Sequence, residues 1–418
     1  MPQRKTALIH LEVVLAPGGD DDPLHLRGLT ALASGLLDEG TEQHSALELA
    51  DEAELLGAAL YTSSDWDAVY VGASALAQHL PPIFELVAET VRSPIFPPDE
   101  LERLRRTRLA DLANRSSRAS FVAGRDAAQM LYGSDHPYGA SFVGTQEGLT
   151  AIARSDVEAW YAKRAHPQGT TLIAVGDTDL AEISRLAEHA FGNWPATAPA
   201  LDAERSFADS RQPFQMRIVD RPGGVQTELR IVRQGPRRND PSYLGCRLLN
   251  LALGGKFTSR LNLNLRERLG ITYGVHSQLG GRRGPGPFSI SCAVDTEATG
   301  RAVSEILQEF ERLRNAPLPA EEIADAKNYL LGTFPYRLQT IEGMLNHLAE
   351  IAIYNLDDDT FDRFPAAVEA VTEEALYACA QKLLRSDDLT IVAVGPADSL
   401  LPQLEALGEV EVRSEDGV

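Results

Sequence analysis

"GLTALASGLLDEGT", residues 28–41, reads as a short amphipathic helix that runs into a glycine turn. Leu29, Leu32, Leu36 and Leu37 recur at spacings that bring them to one helix face, and Gly40 supplies the stop signal expected just past a helix end. Between these leucines stand Ala31, Ser34 and Gly35. None of the three can ligate a metal or move a proton at neutral pH. What those positions hold decides whether the chain can be an enzyme by itself.

The rest of the chain bounds the answer. Its 418 residues allow two to four domains with ample core in each, and no apolar run approaches the length needed to cross a bilayer. The opening "MPQRKTALIHLEVVLAPGG" alternates like a strand, is broken by His10 and Glu12, and has no signal-peptide core. The expected compartment is therefore the cytoplasm, with the periplasm or export as the alternative if a signal has been removed. A net charge of −21 argues against nucleic-acid binding, which needs clustered Lys and Arg on one face. It reads most simply as a solvated acidic surface. Cys246, Cys292 and Cys379 lie far apart with no metal-ligand spacing, as small core residues in a reducing compartment do.

Organisation comes from an internal echo. "TLIAVGDTDL" (171–180) recurs as "TIVAVGPADSL" (390–400), each preceded by a helical segment. "FPPDELERLRRTRLADL" (96–112) is echoed by "PLPAEEIADAKNYLLGTF" (317–334), both with prolines at the start and acids in the first turn. Two similar units fit this better than one large domain or a short-period solenoid. The expected domains are 1–203 and 214–418, joined near "NWPATAPALDAERSFADSRQPF" (193–214). Strands are expected in "ALIHLEVVLA", "AVYVGASAL", "MRIVDR", "TELRIVRQ", "ITYGVHSQL" and "PFSISCAV". Long helices between strands that do not strictly alternate give an α+β class: two homologous halves, each a mainly antiparallel sheet with helices on one face.

Four stretches in this order, "GLTALASGLLDEGT", 49–105, "HPYGASFVGTQEGLTAI" (136–152) and "FTSRLNLNLRERLGITYGVHS" (257–277), together with the duplication, give the chain its resemblance. It resembles the zinc peptidase family of pitrilysin, insulin-degrading enzyme and the mitochondrial processing peptidase, particularly its bacterial two-chain members. The resemblance covers nearly the whole chain and implies a half-clamshell of the processing-peptidase type. In that family the first helix carries His-x-x-Glu-His. Two imidazoles four residues apart hold zinc, and the glutamate reaches the metal-bound water as general base. Without a gap, the two His positions fall on Ala31 and Gly35 and the Glu on Ser34. The distal carboxylate falls near Ala110 or Asp111. His25, His44 and His136 offer no i,i+4 pair, so surface or structural roles are expected for them and no metal is expected in this chain.

In the second half, "NLRERLGITY" matches the family's Arg-x6-Tyr pair at Arg266 and Tyr273. Leu261, Leu265 and Leu269 give the buried stripe and Gly270 the C-cap. A guanidinium fork can hold a carbonyl or carboxylate, and a phenol can donate to the oxyanion of a tetrahedral intermediate. Arg260 and Arg268 are the neighbours most easily mistaken for Arg266. The family also holds peptide as an added strand on a sheet edge, matched here near "SDWDAVYVGA" (64–73), where Trp66 and Tyr70 are expected to pack. "GGRRGPGP" (280–287) lacks the Lys-Ser/Thr of a phosphate loop and reads as a hairpin turn.

The resemblance thus implies a non-zinc subunit of a heterodimeric metallopeptidase. It would be inactive alone and would complete through Arg266 and Tyr273 the site of a homologous zinc-bearing chain. An unfolded or extended peptide is the expected substrate, and the chain could form a homodimer when alone. The competing reading is a catalytically silent structural paralogue of the same fold. An independent peptidase using other residues is the third.

Overall fold

The computed structural model describes Met1, residues 7–195 and residues 212–415. Most of the joining segment expected at 193–214 lies outside the described residues. The chain forms two compact units. The first comprises Met1–Ala113, Ala140–Ser206 and Pro335–Asp358; the second comprises Asn114–Gly139, Phe207–Phe334 and Asp359–Val418.

The first unit is built on a four-stranded antiparallel sheet of β1 (Leu8–Leu15), β2 (Ala59–Ser64), β3 (Val69–Leu76) and β4 (Thr170–Gly176), in the order β2-β3-β1-β4. Successive side chains of a strand point to opposite faces, and the central strand β1 is buried on both. Ile9, Leu11, Val13 and Leu15 join Ile83, Phe84, Val87 and Val91 of the Leu80–Arg92 helix in the main core. On the other face, Val14 and β4 residues Ile173 and Val175 meet Met344, Leu345 and Ala349 of the Ile341–Tyr354 helix.

The second unit carries a six-stranded sheet of β5 (Gln215–Asp220), β6 (Gln226–Gln234), β7 (Thr272–Leu279), β8 (Pro287–Asp295), β9 (Thr390–Gly395) and β10 (Val410–Ser414). Its order is β10-β5-β9-β6-β8-β7. The β10–β5 and β5–β9 pairs are parallel and the others antiparallel, so this sheet is mixed. Ile218, Leu229, Ile231 and Phe288 build its core with Val303, Ile306 and Phe310 of the Thr299–Asn315 helix. The Ala119–Tyr132 helix covers β6 and β9, with Asp126 fully buried and ion-paired to Arg217 at 3.2 Å and Arg413 at 3.0 Å.

The duplication is visible as matched elements. Helices Pro98–Ser116 and Ala320–Arg337 correspond, as do β4 and β9, each followed by a helix. The helix after each long one, Ala119–Tyr132 and Ile341–Tyr354, packs with the unit built mainly from the other half of the sequence. The units therefore depart from the contiguous halves 1–203 and 214–418. Each sheet has a second apolar face that its own half leaves uncovered, so the main helical layer on one face is supplemented by one helix on the other.

Candidate functional site

In the first unit, the 28–41 stretch forms a helix only over Leu29–Ser34. Gly28 precedes it with φ +95°, a left-handed conformation suited to glycine, and a Cβ there would stand 2.8 Å from Gly144 Cα. Asp22 caps the helix from outside: its carboxylate accepts from the Thr30 amide at 3.0–3.1 Å and from the Thr30 hydroxyl at 2.5 Å. Burial pushes the Asp22 carboxyl up to about 6. At Gly35 the ladder tightens, with Leu36 donating to Ala33 O at 3.0 Å and Leu37 to Ser34 O at 3.3 Å. The helix is thus shorter than its apolar spacing predicts, because the tight turn sends both Leu36 and Leu37 fully into the core.

Ala31 and Ser34 are buried, and the Ser34 hydroxyl hydrogen-bonds that of Ser64 on β2 at 2.7 Å. The place between the silent positions is taken by Arg108 of the Pro98–Ser116 helix. Its guanidinium donates to Ala31 O at 3.2 Å and would stand 3.7 Å from a Cβ built on Gly35. A cation supplied by the chain itself lies against the first His position, and the carbonyl beside it is already engaged. Ala110 is exposed and Asp111 half-buried on the same helix. None of the residues at 31, 34 and 35 fits zinc, and among the described residues no group of three or more His, Cys, Asp or Glu could hold a metal.

The three candidate histidines have other surroundings. His25 is exposed, His136 stacks on Tyr132 with ring centres 5.0 Å apart, and His44 pairs with Glu89 at 2.9 Å. The Glu89 hydrogen bond raises the His44 imidazole above its ordinary value. Trp66 packs edge-on against Phe142 at 5.4 Å, and the Tyr70 hydroxyl donates to Asp65 at 2.9 Å. The sheet edge, however, is β2 and not the 64–73 stretch, most of which is β3, an interior strand paired on both sides. "ALYTSS" lacks the alternation that marks β3, which is why its neighbour was the more visible strand.

In the second unit, Arg266 lies in a widened helical turn, Asn262–Arg268, in which Leu269 N donates to Asn264 O at 3.0 Å, five residues back. Gly270 ends it at φ +65°, and β7 begins two residues on at the sheet edge. Leu261 and Leu265 are fully buried, whereas Leu269 is only partly so. The β7–β8 register shifts between Thr272 and Val275, and Tyr273 in that shift is 91 % exposed. The Arg266 guanidinium stacks 4.2 Å from the ring centre of the exposed Phe257 and has Glu267 at 3.7 Å. Its neighbours are committed elsewhere. Arg260 is held by Glu309 and Glu322, each at 2.6 Å, and Arg268 by Glu305 at 3.0 Å.

Buried Asn262 ties this turn to the strand. Its amide nitrogen donates to Val275 O at 2.8 Å, and its oxygen accepts from Val275 N at 3.0 Å. Asn250 reaches Ser277 O at 3.1 Å two residues further on. Phe257, Asn262 and Arg108 are the site-shaping residues that sequence reasoning missed. An asparagine inside an apolar-periodic helix was the one available signal, since such a residue must find buried partners. The "GGRRGPGP" stretch closes the β7–β8 hairpin as expected, with Gly280 N donating to Pro287 O at 2.8 Å.

Comparison with known proteins identifies the family. Residues 2–127 match the family described as insulinase (peptidase family M16), and residues 151–330 match the peptidase M16 inactive domain. The chain belongs to the M16 peptidase family. A zinc protease of Mycobacterium tuberculosis, itself uncharacterised, is 24 % identical over 399 residues, covering 93 % of this chain and 89 % of its own. A Helicobacter pylori protein described as a non-peptidase homologue, YmxG, is 22 % identical over 343 residues, covering 79 % and 75 %. The crystal structure of a peptidase M16 inactive domain from Pseudomonas fluorescens superimposes with a TM-score of 0.88 at 25 % identity, covering 95 % of each chain. This chain is a family member with Ala, Ser and Gly at positions 31, 34 and 35, where its resemblance to the family leads one to expect the zinc motif.

Proposed function

We propose that this chain is the non-zinc subunit of a heterodimeric M16 metallopeptidase, completing the peptide-cleaving site of a homologous zinc-bearing chain through Arg266 and Tyr273. The observation that carries the reading is the presentation of this pair. A guanidinium whose one carboxylate partner is its chain neighbour Glu267 at 3.7 Å and an almost fully exposed phenol stand on a turn and an edge strand that buried Asn262 fixes together. Arg266 would bind the carbonyl or carboxylate of an extended peptide through its planar fork. The Tyr273 hydroxyl would donate to the oxygen that gains charge as the peptide carbonyl is attacked. The metal and the water-activating base belong to the sister chain, since positions 31, 34 and 35 supply neither.

The second reading is a silent scaffold of the same fold, favoured by the matched description "inactive domain" and by the relative described as a non-peptidase homologue. One experiment separates the two. Mix the chain with a sister chain carrying His-x-x-Glu-His and measure turnover of a long unstructured peptide, with Arg266→Ala or Tyr273→Phe in this chain only. Each change should lower kcat by about 10²–10³-fold, the usual loss for one oxyanion donor. The double variant should lose less than the product, because both groups act on one charge. Assembly and zinc content should not change. Full activity of the double variant in an intact heterodimer leaves the scaffold as the better reading.

A further inference from the structure

Cys246 and Cys379 stand 133 positions apart in number, yet the second unit brings them together. Cys246 lies on the Tyr243–Asn250 helix and Cys379 on the Glu373–Leu383 helix, which pack directly on one another. The Cys379 thiol reaches Ser242 O at 3.7 Å, the same carbonyl that accepts from Cys246 N at 2.9 Å. Gly245 makes this approach feasible: a Cβ there would stand only 2.9 Å from Cys379 Sγ. Both cysteines are buried, at 3 % and 4 % exposure. The remaining cysteine, Cys292, sits on β8, where burial pushes its thiol up to about 12.

We propose that Cys246 and Cys379 are a redox modification site, a dithiol that a peroxide converts to an intramolecular disulfide joining the two helices. A disulfide spans roughly 4 Å between Cβ atoms, and these helices meet closely enough for a Cβ on Gly245, next to Cys246, to stand 2.9 Å from Cys379 Sγ. The pair is also chemically asymmetric. The neighbouring Cys246 side chain holds the Cys379 thiol below its ordinary value, with Lys382 acting in the same direction, while Cys246 is pushed up. Cys379 is therefore the attacking sulfur. Its thiolate attacks one peroxide oxygen; the S–O bond forms, the O–O bond breaks, and the departing oxygen takes a proton. Cys246 then attacks the Cys379 sulfenic sulfur; the S–S bond forms, the S–O bond breaks, and the proton of Cys246 leaves with the hydroxide as water. Two thiols lose two electrons to one peroxide. Hydrogen peroxide, little larger than water, is the reagent that such packing admits. The Tyr243–Asn250 helix continues into Leu251–Gly255 and then Phe257, so the bond would anchor the base of the segment that carries Arg266.

The test uses the whole folded chain. Treat it with excess hydrogen peroxide, denature it in an alkylating reagent, and count free thiols by intact mass. Three before treatment should become one, with a proteolytic fragment linking Cys246 to Cys379, a monomer on a non-reducing gel and full recovery in dithiothreitol. Cys246→Ser should instead accumulate a sulfenic acid at Cys379 that dimedone traps. Three remaining thiols, a link through Cys292 or between chains, or irreversible over-oxidation overturns the site. Absence of the dimedone adduct in a folded Cys246→Ser protein overturns Cys379 as the attacking sulfur. If that variant does not fold, the thiol count and fragment map of the unmutated chain still decide.

Discussion

At the residue scale, Arg266 differs from Arg260 and Arg268 only in what surrounds it. Three arginines on one short stretch are equivalent in type. Glu309, Glu322 and Glu305, which neutralise two of them, come from helices 40–60 residues away, roughly, along the chain. Asn262 is the residue on which the site's geometry hangs. Asn262→Ala leaves the amide and carbonyl of buried Val275 without side-chain partners, which should lower unfolding free energy by roughly 2–4 kcal/mol. Urea denaturation measures this, and an unchanged midpoint would mean that β7 does not depend on the amide. Asp22 makes a pH-dependent contribution. Its carboxyl lies near 6 in the fold, against an ordinary value of 3.8. The native state binds that proton more tightly than the unfolded chain, so the contribution is fully present below about pH 4 and is lost as pH rises through about 6. Asp22→Asn should therefore gain stability relative to the unmutated chain between pH 4 and pH 7. A difference that stays constant across that range would contradict the burial of this carboxylate.

At the element scale, the zinc-motif helix explains why restoring ligands should not restore a site. Ala31→His, Ser34→Glu and Gly35→His together place three larger side chains where Arg108 already lies against Ala31 O and close to Gly35. A fixed guanidinium repels a divalent cation, and the groups that would orient new ligands are missing; losing such groups typically costs about 10- to 100-fold in metal affinity. Elemental analysis after dialysis against trace zinc should find far less than one zinc per triple variant. Adding Arg108→Ala should raise the content. Stoichiometric zinc with Arg108 in place would show that the guanidinium is no obstacle. Nothing in the sequence marked Arg108 out among the arginines of "LERLRRTRLADL", since only tertiary packing aims one of them at Ala31.

At the scale of the whole molecule, the exchange of the Ala119–Tyr132 and Ile341–Tyr354 helices means that neither sequence half is self-sufficient. Residues 1–203 made alone would leave Val14, Ile173 and Val175 without Met344, Leu345 and Ala349 over them. An uncovered apolar sheet face of this kind drives association. The fragment should be poorly soluble and should bind a hydrophobic dye. Fusing residues 335–358 through a flexible linker should recover solubility and reduce dye binding. Cooperative unfolding of fragment 1–203 without dye binding would show that its sheet needs no covering helix. Among the described residues no helix is long and apolar enough to cross a membrane, in keeping with the ordinary hydropathy of the chain.

The duplication, six of the ten strands among the described residues, the missing ligand side chains and the Arg-x6-Tyr match were legible in the sequence because each rests on local spacing. Alternation makes strands, helical periodicity makes apolar faces, and the absence of a ligand side chain at 31, 34 or 35 needs no fold to be seen. The tertiary structure alone decided which helix covers which sheet, which strand forms the edge, which cation stands beside Ala31 and which arginines are held by carboxylates from distant helices. It also brought Cys246 to Cys379. These are contacts between residues distant in sequence, and a one-dimensional pattern carries the tendency of a segment to bury a face but not the identity of what comes to bury it.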